Sequence, residues 1–242
     1  FRRVLFRSNL SGGTISLAAQ SDRGLLIGVN ANCTGTFNLS GSGILTMAGS
    51  SYLEIGRSEG SSTVAGSTGT FNQTGGTALV ANLRMGGGNA NNANTTSSLN
   101  LSGGTFSAST FSFLSAGDNS ISSIAIGNTA DVTLPAFPTT RGSGATATIT
   151  FDGGTLSPLS ASATYMGGLT SAKIKAGGAT FDVSSGKDIT ITQDLLTDNV
   201  STGGGLTKAG DGTLTLAGIN TYTGNTTVNA GKMLGATGGG SA

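Results

Sequence analysis

The chain has 242 residues, enough for one domain with a sizeable core. Only 10% are charged, glycine fills 42 positions and histidine is absent, which excludes histidine-based triads and histidine metal ligands. Three prolines without a Gly-X-Y period exclude collagen or a simple linker. No stretch approaches the roughly 18 consecutive apolar residues of a membrane helix.

Residues 1–8, FRRVLFRS, do not share the pattern that follows, and they hold three of the seven arginines. They resemble a translated sequencing adapter. A signal peptide fits less well, because no apolar stretch of about 7–15 residues follows. The segment is therefore expected to be foreign to the native protein. Without Arg2, Arg3 and Arg7 the formal charge changes from +1 to −2, and no basic patch supports nucleic-acid binding.

From residue 9 to 202 the sequence reads as degenerate repeats of very short strands. Aliphatic residues alternate with Thr, Ser and Asn, as in half-buried strands, with glycine at the turns. One block recurs as SNLSGGTIS (8–16), FNLSGSGIL (37–45), FNQTGGTAL (71–79) and LNLSGGTFS (99–107), and more loosely as ITFDGGTLS (149–157) and KIKAGGATF (173–181). A second block lies between copies of the first: GLLIGVN (24–30), YLEIGRSEG (52–60), NLRMGGGN (82–89) and SIAIGNT (123–129). The first glycines of the first block fall at 12, 41, 75, 103, 153 and 177, so one interval of 50 stands out among intervals of 24 to 34. That interval contains TLPAFPTTRGSGAT (133–146). It holds either an extra rung with a loop leaving the rod or an ordinary lengthened turn, and the lengthened turn is the simpler reading.

Repeats of this length point to solenoids, propellers or arrays. A propeller would want periodic aromatics, whereas Trp is absent and aromatics are 5%. A solenoid needs glycine at tight corners and an inward aliphatic residue at every second position. Phe37 and Leu39, Leu99 and Leu101, and Ile149 and Phe151 supply the latter. The expected fold is all-β, a right-handed parallel β-helix, the hand following from the preference of parallel crossovers. At roughly 30 residues per rung, it has about eight or more rungs and a body near 40 Å long.

Asn9, Asn38, Asn72 and Asn100 recur at one place in the repeat. They are expected to stack as an amide ladder, the alternative being a polar row that contacts glycans. The Asn-x-Ser/Thr triplets come with the repeat. Thr146, Thr148 and Thr150 are sufficiently explained as exposed strand residues. Cys33 is the single cysteine, so no intrachain disulfide forms, and it reads as a small buried apolar residue.

Near the end stands GGLTKAGDGTLTLAGINTYTGNTTVNAGKML (204–234). The order Gly-Gly-Leu-Thr-Lys, Gly-x-Gly-Thr-Leu-Thr-Leu, Asn-Thr-Tyr-Thr-Gly and Thr-x-Val-x-Ala-Gly resembles the autotransporter-associated β-strand repeat, also called the passenger-associated transport repeat. The resemblance covers residues 203–234. It implies a passenger rod, displayed on or released from a Gram-negative-type bacterium, whose export the repeat assists. The implied partner is an outer-membrane β-barrel translocator on the same polypeptide, with a host or glycan surface ligand for an adhesin or stalk. Residues 235–242 are a Gly-rich end. The chain begins and stops within its pattern and is expected to be a fragment of a longer protein, with rod ends prone to self-association.

Parallel β-helices also host carbohydrate-active enzymes, which need converging carboxylates, or carboxylates beside Arg or Lys. The acids here are scattered: Asp22, Glu54, Glu59, Asp118, Asp131, Asp152, Asp182, Asp188, Asp194, Asp198 and Asp211. Stacking could bring Asp152 and Asp182 together. The densest group, 182 to 198, lies near Lys187. Tandem Gly-Gly-x-Gly-x-Asp repeats for calcium are absent. Tyr52, Tyr165 and Tyr222 are too few for a row of exposed aromatics. No catalytic residue, metal ligand or cofactor is expected, and no binding residue is assigned. A glycan-binding module or enzyme on the same scaffold is the alternative function.

Overall fold

The structure is a computed structural model that describes residues 3–5, 7–18, 24–29, 32–57, 66–87, 94–113 and 119–235. Every helix or strand among them is a strand, and every strand pairing is parallel. The chain can pair strands in parallel at such short spacing only by walking round the other sides of a coil first.

Three columns of stacked strands result. The first contains Arg7–Leu10, Thr34–Leu39, residues 68–73, 96–101, 121–126 and 146–151, Ser171–Ile174 and Leu195–Thr197. Stacking from first to last makes a β-solenoid of about seven turns. The second runs from Thr14–Leu17 through Ile44–Met47, 77–80, 105–108, 131–134, 155–158, Ala179–Asp182 and Leu206–Ala209 to Thr226–Val228. Successive partners in the first column lie 34, 28, 25 and 23 residues apart at Thr34↔Thr68, Thr68↔Thr96, Ile121↔Thr146 and Thr148↔Ser171. From Thr34 onward the steps of this column shorten, after a first step of 29 residues at Arg7↔Thr36.

The third column is interrupted. Arg3–Leu5, Gly24–Val29, Tyr52–Arg57, 82–85 and 110–113 form its first part. Ser162–Met166, Ile189–Ile191, Thr213–Leu216 and Lys232–Gly235 form a separate four-stranded sheet. Between them lie Pro135 and Pro138, which cannot donate to a ladder. The interval of 50 residues is not a lengthened turn: Ile121–Leu134 supplies the first- and second-column strands of an extra rung, paired on both sides. The proline segment does not leave the rod. Phe137 is buried, its N–H donates to Tyr165 O at 2.7 Å, and its ring packs between Phe111 and Tyr165 at 5.7 and 5.8 Å.

SIAIGNT also lies elsewhere than its likeness to the second block suggested. Ser123 and Ile126 pair with Ser98 and Leu101, so this segment belongs to the first column. An apolar-Gly step serves corners at both ends of the first column, so the two blocks share one local sequence. At the other end, Gly28 has φ +61°, and a Cβ there would collide with the carbonyl of Thr68.

The core lies within the coil. Phe37, Phe71, Leu99, Ile124, Ile149 and Ala172 form one continuous inward row. Phe37 and Phe71 stack at 5.5 Å. All six inward residues expected from the sequence, Phe37, Leu39, Leu99, Leu101, Ile149 and Phe151, are buried. Each such side chain contributes about 1.5–3 kcal/mol by leaving water.

Candidate functional site

The outer face of the first column carries the recurring asparagines. Asn38 Nδ2 donates to Asn9 Oδ1 at 2.7 Å, Asn72 to Asn38 at 2.8 Å, and Asn100 to Asn72 at 2.9 Å. The row is an amide ladder along the rod, and the bonds join residues 28 to 34 apart. It ends where Ala125 pairs with Asn100.

Four of the acids bind main-chain amides at the corners. Gly177 N–H donates to Asp152 Oδ1 at 3.0 Å, Thr213 N–H to Asp188 at 2.7 Å and Ile219 N–H to Asp194 at 2.6 Å, in each case 25 residues away. That separation is one coil, so each carboxylate clips its corner to the next. Asp198 accepts from Val200 and Ser201 within its own turn, at 3.0 and 2.9 Å, and sits 3.8 Å from Lys173 Nζ. The Ser201 and Val200 amides hold its carboxyl below the usual aspartate range. Asp152 precedes the corner after the first column, whereas Asp182 ends a second-column strand, so stacking does not join them. Asp22, Glu59 and Asp118 lie outside the described residues. Among the described residues, no group of three or more Cys, Asp or Glu is placed to hold a metal ion.

One ionic cluster was not foreseen. Glu54, fully buried, accepts from Arg57 at 3.0 Å. Its second oxygen is 3.9 Å from Arg84, whose guanidinium lies 4.3 Å from the centre of the Tyr52 ring. The register signals it, since Glu54 and Arg84 are direct partners in adjacent third-column strands. The cluster holds a single carboxylate, whereas glycoside hydrolysis ordinarily needs two across the scissile bond. A shallow groove over the second third-column sheet is lined by Ser162, Asp188, Thr190, Thr213 and Thr215. Its one carboxylate, Asp188, already accepts from Thr213.

The tyrosines do not form a platform. Tyr52 is under Arg84, and Tyr165 is fully buried with its hydroxyl 3.3 Å from Leu134 O, its pKa raised by burial. Tyr222 shares a hydrogen bond of 2.6 Å with Thr226. Cys33 is half-buried rather than fully buried.

Lys208 is a further buried charged residue. It occupies an inward position, fully buried, and burial lowers its pKa while Asp182, Asp211 and Asp188 oppose that shift. The signal was in the sequence: Leu206-Thr207-Lys208 alternates so that Lys208 must point inward with Leu206.

Stacked parallel coils, a side-chain ladder and corner clips define a repeat-built rod. The Passenger-associated-transport-repeat family model matches residues 206–233. A 27-residue segment is 82% identical to the adhesin BmaC autotransporter of Brucella suis biovar 1 (strain 1330), over 11% of this chain and 1% of that protein. The chain thus spans a very small part of that relative's length. No solved structure matches significantly. This chain carries an autotransporter passenger repeat, set in a β-solenoid.

Proposed function

We propose that this chain is part of the structural passenger rod of a secreted or surface-displayed autotransporter-like protein of a Gram-negative-type bacterium, serving as an adhesin or stalk. Residues 203–234 assist export and folding. The supporting observation is that the transport repeat is built into the rod itself. Leu206–Ala209 pairs with Ala179–Asp182 on one side and Thr226–Val228 on the other. No ATP is available at the outer membrane, so folding outside the cell can draw the chain through. A solenoid suits this because each coil gains its stability from its neighbour. The partner is an outer-membrane β-barrel on the same polypeptide, with a host or glycan surface as the ligand.

The rod is non-catalytic in this reading, which is supported by the engagement of Asp152, Asp188, Asp194 and Asp198 with main-chain amides. Deleting residues 203–234 from the intact protein tests the export role. Surface delivery, followed by protease accessibility on whole cells, should fall, and unchanged delivery would sink the proposal. Depolymerisation of a polysaccharide panel by residues 9–242 would overturn the non-catalytic reading.

A further inference from the structure

Ile15, Leu45, Ala78, Phe106, Val132, Leu156 and Phe181 form a single inward row of the second column, each in register with the next. The following position in that row is Lys208, paired with Phe181 on one side and Val228 on the other. A lysine replaces an apolar residue in a core row, and it is fully buried. An ammonium placed there must have all three N–H groups accepted, or it costs several kcal/mol.

It has all three. Lys208 Nζ donates to Ala209 O at 2.7 Å and Gly210 O at 2.5 Å, both at the corner of its own coil. The third bond, 3.1 Å, goes to Ala230 O at the equivalent corner of the next coil. Gly210 and Gly231 have φ of +71° and +69° and stack there, so the two corners repeat one backbone shape. A Cβ on Gly231 would collide with the carbonyls of Gly210 and Gly212. Further main-chain bonds join these coils, among them Asn229 N–H to Lys208 O at 2.8 Å, Leu206 N–H to Asn225 O at 3.0 Å and Lys232 N–H to Gly212 O at 3.1 Å.

We propose that Lys208 is a latch that makes the transport repeat a two-coil folding unit. The coil containing Leu206–Ala209 and Thr213–Leu216 satisfies two of the ammonium's three protons. The third acceptor exists only when the coil containing Thr226–Val228 and Lys232–Gly235 is in place. Whichever coil forms first, the second completes the burial of the charge. An apolar residue at 208 would fill the core but would not report whether the neighbouring corner is present. The charge therefore supplies register and coupling, the best-attested use of a buried polar group. The latch stands on this geometry alone and holds whether or not residues 203–234 assist export.

Hydrogen exchange on the full chain tests it, comparing wild type with Lys208→Met, which keeps the unbranched apolar stem. A hydrogen bond to a charged group shifts an opening equilibrium by about tenfold or more. Amides of residues 226–235 should accordingly exchange about tenfold faster or more in the variant, while residues 146–158 keep wild-type protection. Unchanged protection at 226–235 overturns the latch. So does a loss spread evenly over 146–235 or unfolding of the whole chain, either of which would make Lys208 an ordinary core residue. Surface delivery of Lys208→Met within the intact protein is a separate readout that bears on export only.

Discussion

Asn72 donates to Asn38 and accepts from Asn100, so Asn72→Ala removes two ladder bonds at once. At about 0.5–1.5 kcal/mol each, and with the row facing outward, the expected cost is about 1 kcal/mol in urea unfolding. Asn9→Ala removes only one and should cost about half as much. Asp198 gives a pH signature. Its folded pKa lies below the usual value of 3.8, lowered first by the Ser201 amide and then by the Val200 amide. Its contribution is therefore fully present above the unfolded pKa and is lost as pH falls through the folded one. Asp198→Asn should flatten that part of the acid unfolding curve. An identical acid limb in the variant would show that the turn bonds carry no differential energy. The amide ladder was legible in the sequence because identical residues recurred at identical places. The corner clips were not, because an aspartate's partner is chosen by which corner lies one coil away.

Glycine corners set the geometry of each element, and two of them separate backbone strain from steric contact. Gly104 and Gly186 have nearly the same φ, +77° and +76°. A Cβ at Gly104 would collide with Gly76 O, whereas one at Gly186 meets nothing within 4 Å. Both alanine variants should lose the cost of a left-handed residue, about 1–2 kcal/mol. Gly104→Ala should lose more, because two stacked corners must separate. Equal thermal midpoints for the two would mean that the corner relaxes freely. The extra rung Ile121–Leu134 shows how a corner hides from inspection. The corner between its first- and second-column strands sets Asn128, at φ +49°, opposite Gly153, and Thr129 and Ala130 opposite Gly103 and Gly104. Asparagine tolerates that conformation, so the strand remained while its marker disappeared.

As a whole molecule the rod is a chain of nearest-neighbour contacts, and its open edges behave accordingly. Thr226–Val228 has a strand partner on one side only among the described residues, and all three residues are exposed. Asn225 O and Asn229 N–H serve the neighbouring strand, so alternation turns the Val228 amide toward the open edge. Residues 1–242 should therefore self-associate with rising concentration, and Val228→Pro should reduce this without removing an internal bond. Sedimentation velocity would show the shift. A wild-type chain monomeric at every concentration would remove the expectation.

The amino-acid sequence by itself determined that this protein is a solenoid with an autotransporter repeat. Alternation of period two, glycine at regular corners and scarce charge are local properties, and a coil that contacts only its neighbours leaves little for distant residues to decide. The exact run GGLTK…GDGTLTL…NTYTG was likewise readable without coordinates. Only the tertiary structure decided what each polar side chain does. Asp152 and Asp182 look equivalent in sequence but stand at different corners, Glu54 meets Arg84 because they are stacked partners, and Lys208 acquires its third carbonyl from the next coil. Those assignments depend on the lengths of coils whose stacked partners lie from 34 to 19 residues apart, and stacking register follows from the loops between them.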